Sequence, residues 1–320
     1  MIKRRNFLKL FLYGSVYTAL HGVLPVMAQS KYLCKSFPAA LRLLAVLLCT
    51  VCVGAPCSKI FAQVLPDSKI ESLGQIPGNK VALVIGNADY PVHRLKNPIN
   101  DARSMADALR ELGFNVDQRE NIDQNEMIEA MKDFWLKGRT ANARVFYFAG
   151  HGLQYQGENH LLPIDAVLKA EEDIPLKAPS VKYMMDKLKT ISTGVNIIIL
   201  DACRSTPFLK TRSINSPNRS SDNGLAHVVA PKGTLIAFST APGAVAYDGT
   251  EENSIYTRRL VAHLKVPGLP IEQLFKRVRI DVVQSTKEKQ IPWESSSLLG
   301  DFCFRIGRAG QCPSTEFSAR

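Results

Sequence analysis

Acidic side chains are scarce in the first quarter of this chain. Residues 1–80 contain only Asp67 and Glu71 against ten lysines and arginines, so +8 of the formal net charge of +11 lies there. The other 240 residues carry +3, which argues against the basic surface that a nucleic-acid partner needs. Metal-ligand spacing is missing as well. After residue 62 there is no Cys-x-x-Cys pair and no His/Cys grouping, which removes a structural zinc site. Neither "IGNADY" nor "FAGHGLQ" is a Gly-x-Gly-x-x-Gly or Walker pattern, so a flavodoxin-type ligand-binding domain lacks its phosphate-cradling loop. Internal repeats are absent, and no lipobox-like pattern precedes Cys49, Cys52 or Cys57.

What is present is ordinary for a globular protein: 46% hydrophobic and 22% charged residues, in a chain of 320 with ample material for a core. The N-terminus reads as targeting sequence. "KRRNFLKLFLYGSVYTALHGVLPVMAQ" has a charged start, an apolar stretch and a small-residue end near Ala28, and "RRNFLK" resembles a twin-arginine export signal. A second leader of the same form starts at Met27, runs through an apolar stretch from Leu43 to Ala55 and offers a cut after Ala62. Met27 is therefore a candidate for the true start. The apolar stretch is short for a membrane span, which takes about 20 residues. The expectation is a cleaved export signal over 1–62 and a periplasmic or secreted product, with an uncleaved membrane anchor as the alternative. Four of the seven cysteines (Cys34, Cys49, Cys52, Cys57) belong to this leader. Of the rest, Cys303 and Cys312 either pair as a disulfide, leaving Cys203 as the odd thiol, or Cys303 packs in a terminal strand with Cys312 free in a tail.

A polar linker over 63–78 precedes a single domain at 79–306, followed by a tail at 307–320. Continuous apolar runs at 80–87, 143–152 and 195–200 read as strands buried on both faces. "FNVDQREN", "GTLIAFST" (233–240) and "GDFCFRI" read as further strands. Amphipathic helices are expected at 98–114, at 123–138, from Ser180, and at about 254–265 and 270–287. Alternation of this kind predicts an α/β fold with a mostly parallel six-stranded sheet covered on both faces. The segment 206–232, rich in Ser, Asn, Pro and basic residues, reads as a long exposed loop between parts 79–205 and 233–306.

Parallel sheets bind ligands at the carboxyl ends of their strands, and two of the strands here end in reactive residues. "VFYFAG" runs into His151, and "NIIIL" runs through Asp201 into Cys203. A thiol needs deprotonation to attack, and a histidine within reach supplies the base. Gly150 and Gly152 flank the histidine, as for a sharp turn that opens the imidazole to a substrate. Read singly, the cysteine is an ordinary core residue and the histidine a turn residue. Their pairing at two strand ends points to catalysis.

"YFAGHG" and "DACRS", with His151 lying 52 residues before Cys203, resemble the histidine and cysteine motifs of the caspase-like peptidases. "LLPIDA", "FSTAPGAVAYDG" and "SSLLGDFCF" are similar to later landmarks of that group, and the match is closest to metacaspases and the bacterial orthocaspases. The resemblance implies a caspase-like αβα sandwich and a cysteine endopeptidase without organic cofactor. In it His151 is the base, Cys203 the nucleophile, and the backbone N–H groups of Gly152 and Cys203 the oxyanion donors. It also implies a substrate pocket lined by Asp101 and Asp201, selecting Arg or Lys before the cut. Without the resemblance, Asp101 could be a helix N-cap and Asp201 could orient the loop. Caspases select Asp through an arginine before the "NDA" position, where this chain has Leu95.

Against the family's calcium site, Asp165 matches one acid, with Glu171, Glu172 and Asp173 nearby, but Lys210 follows Cys203 by seven. Calcium dependence is not expected. Lys210, Arg212 and Arg219 make self-cleavage in the loop chemically feasible. The metacaspase likeness implies a monomer acting on protein or peptide substrates with basic residues. The rival is a catalytically silent caspase-like module that binds partners. His93, His160, His227, His263, Trp135 and Trp293 show no constellation and read as surface or packing residues.

Overall fold

Three apolar runs build the centre of the molecule. β1 (Lys80–Gly86), β3 (Ala143–Tyr155) and β5 (Val195–Cys203) lie side by side and parallel, because residues buried on both faces suit only a covered interior strand. In this computed structural model the described residues are 79–191, 193–203, 225–241, 251–308, 310 and 312–313, and Cys203 is described in its main chain only. The leader, the linker, loop residues 206–224 with Lys210, Arg212 and Arg219, and the end of the tail lie outside them.

β2 (Asn115–Glu120) adds to β1 in parallel, and β6 (Thr234–Phe238) adds to β5. β7 (Trp293–Ser296) closes the far edge antiparallel to β6, giving the order β2-β1-β3-β5-β6-β7. The six-stranded path is as expected, but its last member is not "GDFCFRI". That segment makes only a single bridge, Pro270 with Cys303, and buries Phe302, Cys303 and Phe304 in succession. Phe302 and Phe304 pack into the core on the face of α5 and α6 rather than extending the sheet. Cys303 and Cys312 are joined in a disulfide, which pins this segment.

Helices cover both faces. α1 (Pro98–Glu111), α5 (Ile255–Leu264) and α6 (Ile271–Ser285) pack on one face, where Ala102, Met105, Leu109, Tyr256, Leu260 and Val278 meet Val145, Tyr147 and Ile197. α2 (Gln124–Gly138) and α4 (Val181–Leu188) pack on the other, against Leu83, Phe146 and Ile198. A single-turn α3 (Ile174–Lys177) lies in the connection before α4. Local signals set the starts: Asp123 forms a capping box with Glu126, and Ser180 and Ser254 accept from Tyr183 N–H and Thr257 N–H. At the amino-terminal end of β3 the fully buried Arg144 bonds Asn196 Oδ1 and the carbonyls of Gly138, Ala141 and Thr193.

β3 does not turn at its glycines. It runs extended past His151 and forms a hairpin with β4 (Glu158–Leu161) through Gln156 and Gly157, both at positive φ. Gly150 serves packing rather than turning. A Cβ there would lie 2.7 Å from Tyr90 Oη and 2.8 Å from Phe148 Cζ.

Candidate active site

The register between β3 and β5 is unbroken from Ala143↔Val195 to its last pair, His151↔Cys203. Paired residues of neighbouring strands share a face, and adjacent strands are about 4.8 Å apart. The two residues singled out from the sequence are therefore direct neighbours at the carboxyl end of the sheet. Asp201, two residues earlier on β5, shares that face and pairs with Ala149.

His151 is 1% exposed and held from three sides. Its backbone N–H donates to Tyr90 Oη at 3.0 Å, and that hydroxyl donates to Leu162 O at 3.0 Å. The Tyr90 ring stands 4.5 Å from the imidazole centroid. The ring's Nε2 is 2.7 Å from His93 O. A carbonyl can only accept, so Nε2 carries the hydrogen and the neutral ring keeps Nδ1 as its basic atom. Burial lowers the pKa of His151 below that of an ordinary histidine, and the bond to His93 opposes the shift in part. Asn87, fully buried at the end of β1, ties this corner together: Nδ2 donates to Leu162 O and Oδ1 accepts Ile122 N–H.

Asp101 and Asp201 are brought together although a hundred residues separate them in sequence. Both are buried, at 2% and 8% exposure. Asp101 Oδ1 accepts from Asn253 Nδ2 and Ser254 N–H, each at 2.9 Å. Asp201 Oδ2 accepts from Ser254 Oγ at 2.6 Å and Thr257 Oγ1 at 2.8 Å. Asp101 is not the N-cap of α1, which is Asn97. The carboxylates thus meet at the N-terminus of α5, where the helix dipole favours negative charge.

Several residues that contact His151, Asp101 and Asp201 carry no signal in the sequence. His93 is exposed as a side chain, as expected, yet its main-chain oxygen orients His151. Tyr90, Asn253, Ser254 and Thr257 were not singled out. Only Ser254 had a signal, as a serine just before an amphipathic run. Trp293 is 42% exposed on the edge strand, against His227, rather than packed inside. His160 is buried with Nδ1 2.9 Å from Ala178 O, and His263 pairs with Asp281.

Two of the four acids considered for calcium serve the backbone. Asp165 accepts Gln124 N–H, and Asp173 accepts the N–H groups of Lys169 and Ala170, which lowers its pKa. Among the described residues no three His, Cys, Asp or Glu side chains group as a metal site. Leu95 is half-buried and packs near Tyr90.

Residues 79–303 match the family described as Caspase domain. The chain belongs to the caspase-domain family. It is 31% identical over 140 residues to the mucosa-associated lymphoid tissue lymphoma translocation protein 1 homolog of Mus musculus, covering 43% of this chain and 16% of that protein. It is 27% identical over 236 residues to caspase-1 of Rattus norvegicus, covering 67% of this chain and 56% of that one. Caspase a of Danio rerio is 24% identical over 247 residues, covering 70% and 61%. The matched part thus spans a small share of the first relative and somewhat over half of the caspases. The architecture is a caspase-like α/β fold with a mostly parallel sheet flanked by helices, and the domain is that of a caspase-family cysteine peptidase.

Proposed function

We propose that this chain is a cysteine endopeptidase that uses a Cys203–His151 dyad and cuts after Arg or Lys. The single observation that supports the dyad is the terminal register pair of β3 and β5, which makes the two residues neighbours at the strand tips. In the proposed cycle Nδ1 of His151 takes the thiol proton. The Cys203 sulfur bonds to the scissile carbonyl carbon, and the N–H groups of Gly152 and Cys203 stabilise the oxyanion. The C–N bond then breaks as His151 returns the proton to the leaving amine. Water, deprotonated by the same imidazole, displaces the sulfur and regenerates the thiol. Burial favours the neutral imidazole that the first step requires.

The preference for a basic residue before the cut rests on the convergence of Asp101 and Asp201, two carboxylates suited to charge-assisted hydrogen bonds with a guanidinium or ammonium. The protein is proposed to act as an exported monomer on basic peptide or protein segments, without calcium. The Cys303–Cys312 disulfide suits the oxidising surroundings that an export signal leads to. Among the described residues no helix is long and apolar enough to cross a membrane.

The test is a set of fluorogenic peptides ending in Arg, Lys or Asp, assayed with and without a calcium chelator. Turnover of the first two that is abolished in Cys203→Ala and unaffected by the chelator is the expected result. Preference for Asp would overturn the pocket assignment, and a folded protein inert toward every peptide would favour the silent module.

A further inference from the structure

We infer that Ser254 is the residue that sets the geometry of the specificity pocket, holding Asp101 with its main chain and Asp201 with its side chain. This rests on the paired-acid reading proposed above. Ser254 itself is a positioning residue, 4% exposed.

The hydroxyl of Ser254 is committed on both of its sides. Thr257 N–H, 3.0 Å away, can only donate, so Oγ accepts there. Its one hydrogen is thereby directed to Asp201 Oδ2 at 2.6 Å. The backbone N–H of the same residue donates to Asp101 Oδ1 at 2.9 Å. One residue thus fixes the spacing between carboxylates that come from α1 and β5. Two like charges brought together repel. The donors converging from 253, 254 and 257, together with the positive end of α5, offset that repulsion before any substrate arrives.

The arrangement is also braced. Asn253 Nδ2 bonds both Asp101 Oδ1 and Ser104 Oγ, and Asn100 Nδ2 bonds Glu252 O, so the entry to α5 is fastened to the first turns of α1. Tyr147 Oη lies 2.6 Å from Thr257 Oγ1, which orients that hydroxyl toward Asp201. A side chain at 254 without a hydroxyl keeps the hold on Asp101 and loses the one on Asp201. The expected defect is therefore in recognising a cation, not in the chemistry at Cys203.

The test compares the purified full chain with Ser254→Ala, Ser254→Gly and Ser254→Thr on peptide pairs ending in Arg or its neutral isostere citrulline. Glycine is included because it is nearly as good an N-cap as serine and so keeps α5 folded. Ser180→Ala removes the equivalent cap from α4 and serves as the structural control. In Ser254→Ala and Ser254→Gly, KM for the Arg peptide should rise about tenfold, the loss expected for one hydrogen bond to a charged group. The kcat should stay within about threefold, and the Arg-to-citrulline ratio in kcat/KM should fall about tenfold. Ser254→Thr should restore the ratio, and Ser180→Ala should leave it unchanged. An unaltered ratio in folded Ser254→Gly, or an equal fall in Ser180→Ala, would overturn the inference while the paired-acid reading stands. A wild-type protein that does not distinguish Arg from citrulline would remove that reading, and the inference with it.

Discussion

The ring of His151 is anchored through Nε2 to the main-chain oxygen of His93, 2.7 Å away, and residue 93 adopts a left-handed backbone with φ of 59°. The contact is made by the peptide group, so the identity of the side chain at 93 matters only through the backbone it allows. Asparagine tolerates this conformation and proline does not. His93→Asn should keep kcat/KM within about threefold. If His151 is the base as proposed, His93→Pro should cost about 100-fold, the penalty of a small misplacement of a catalytic group. Peptide turnover beside a thermal melt separates this from unfolding.

Burial of His151 also makes a statement about pH. Its pKa lies below the ordinary histidine value of about 6.5, so the acid limb of kcat/KM should fall below that pH. The unfolded chain takes up this proton near about 6.5, while the folded chain resists it until a lower pH. Between the two values the unfolded state binds more protons, and stability declines as the pH drops through that window. Urea unfolding at a series of pH values should show this slope in the wild type and a shallower one in His151→Gln.

Tyr90 pairs two buried backbone groups through one hydroxyl, accepting from His151 N–H and donating to Leu162 O. Tyr90→Phe leaves both without that partner. The expected loss of stability is about 1–3 kcal/mol by denaturant titration. A variant as stable as the wild type would mean the hydroxyl is dispensable.

Among the described residues Arg144 makes no ion pair. Its guanidinium is satisfied by Asn196 and three carbonyls, and burial lowers its pKa to about 10. Arg144→Met fills part of the volume but deprives those oxygens of their donors. A loss of about 3 kcal/mol or more is expected, without a change in substrate preference.

The Cys303–Cys312 bond closes a loop of nine residues' separation at the end of the domain. Chain-entropy reasoning assigns such a closure about 2–3 kcal/mol. Cys312→Ser should lower the melting temperature, and a reductant should lower that of the wild type but not of the variant.

How far the molecule could be read in advance depended on where the physics was local. β1, β3 and β5 declare themselves as apolar runs, and the adjacency of His151 and Cys203 follows once both sit at strand ends. β7 is four residues, "WESS", on an exposed edge with no apolar pattern, so nothing marked it as a strand. Conversely, the apolar "GDFCFRI" reads as a strand, yet it makes only the Pro270–Cys303 bridge and packs Phe302 and Phe304 into the core. The hold of His93 on His151 and of Ser254 on Asp101 spans 58 and 153 residues, and is made partly by main-chain atoms that are the same in every residue. No side-chain pattern can announce such contacts.

The pairing of β5 with β6 runs over five consecutive residues on either side of the long 204–233 connection. After a nick in that connection ahead of Leu225, the pairing of β5 with β6 would remain as a non-covalent tie between the halves. The fragments would migrate as two bands under denaturing conditions and elute as one particle under native ones. The carboxylates of residues 101 and 201 would then belong to the first polypeptide and Ser254, which bonds the one through its backbone N–H and the other through its hydroxyl, to the second, so each fragment alone would hold only part of the proposed pocket.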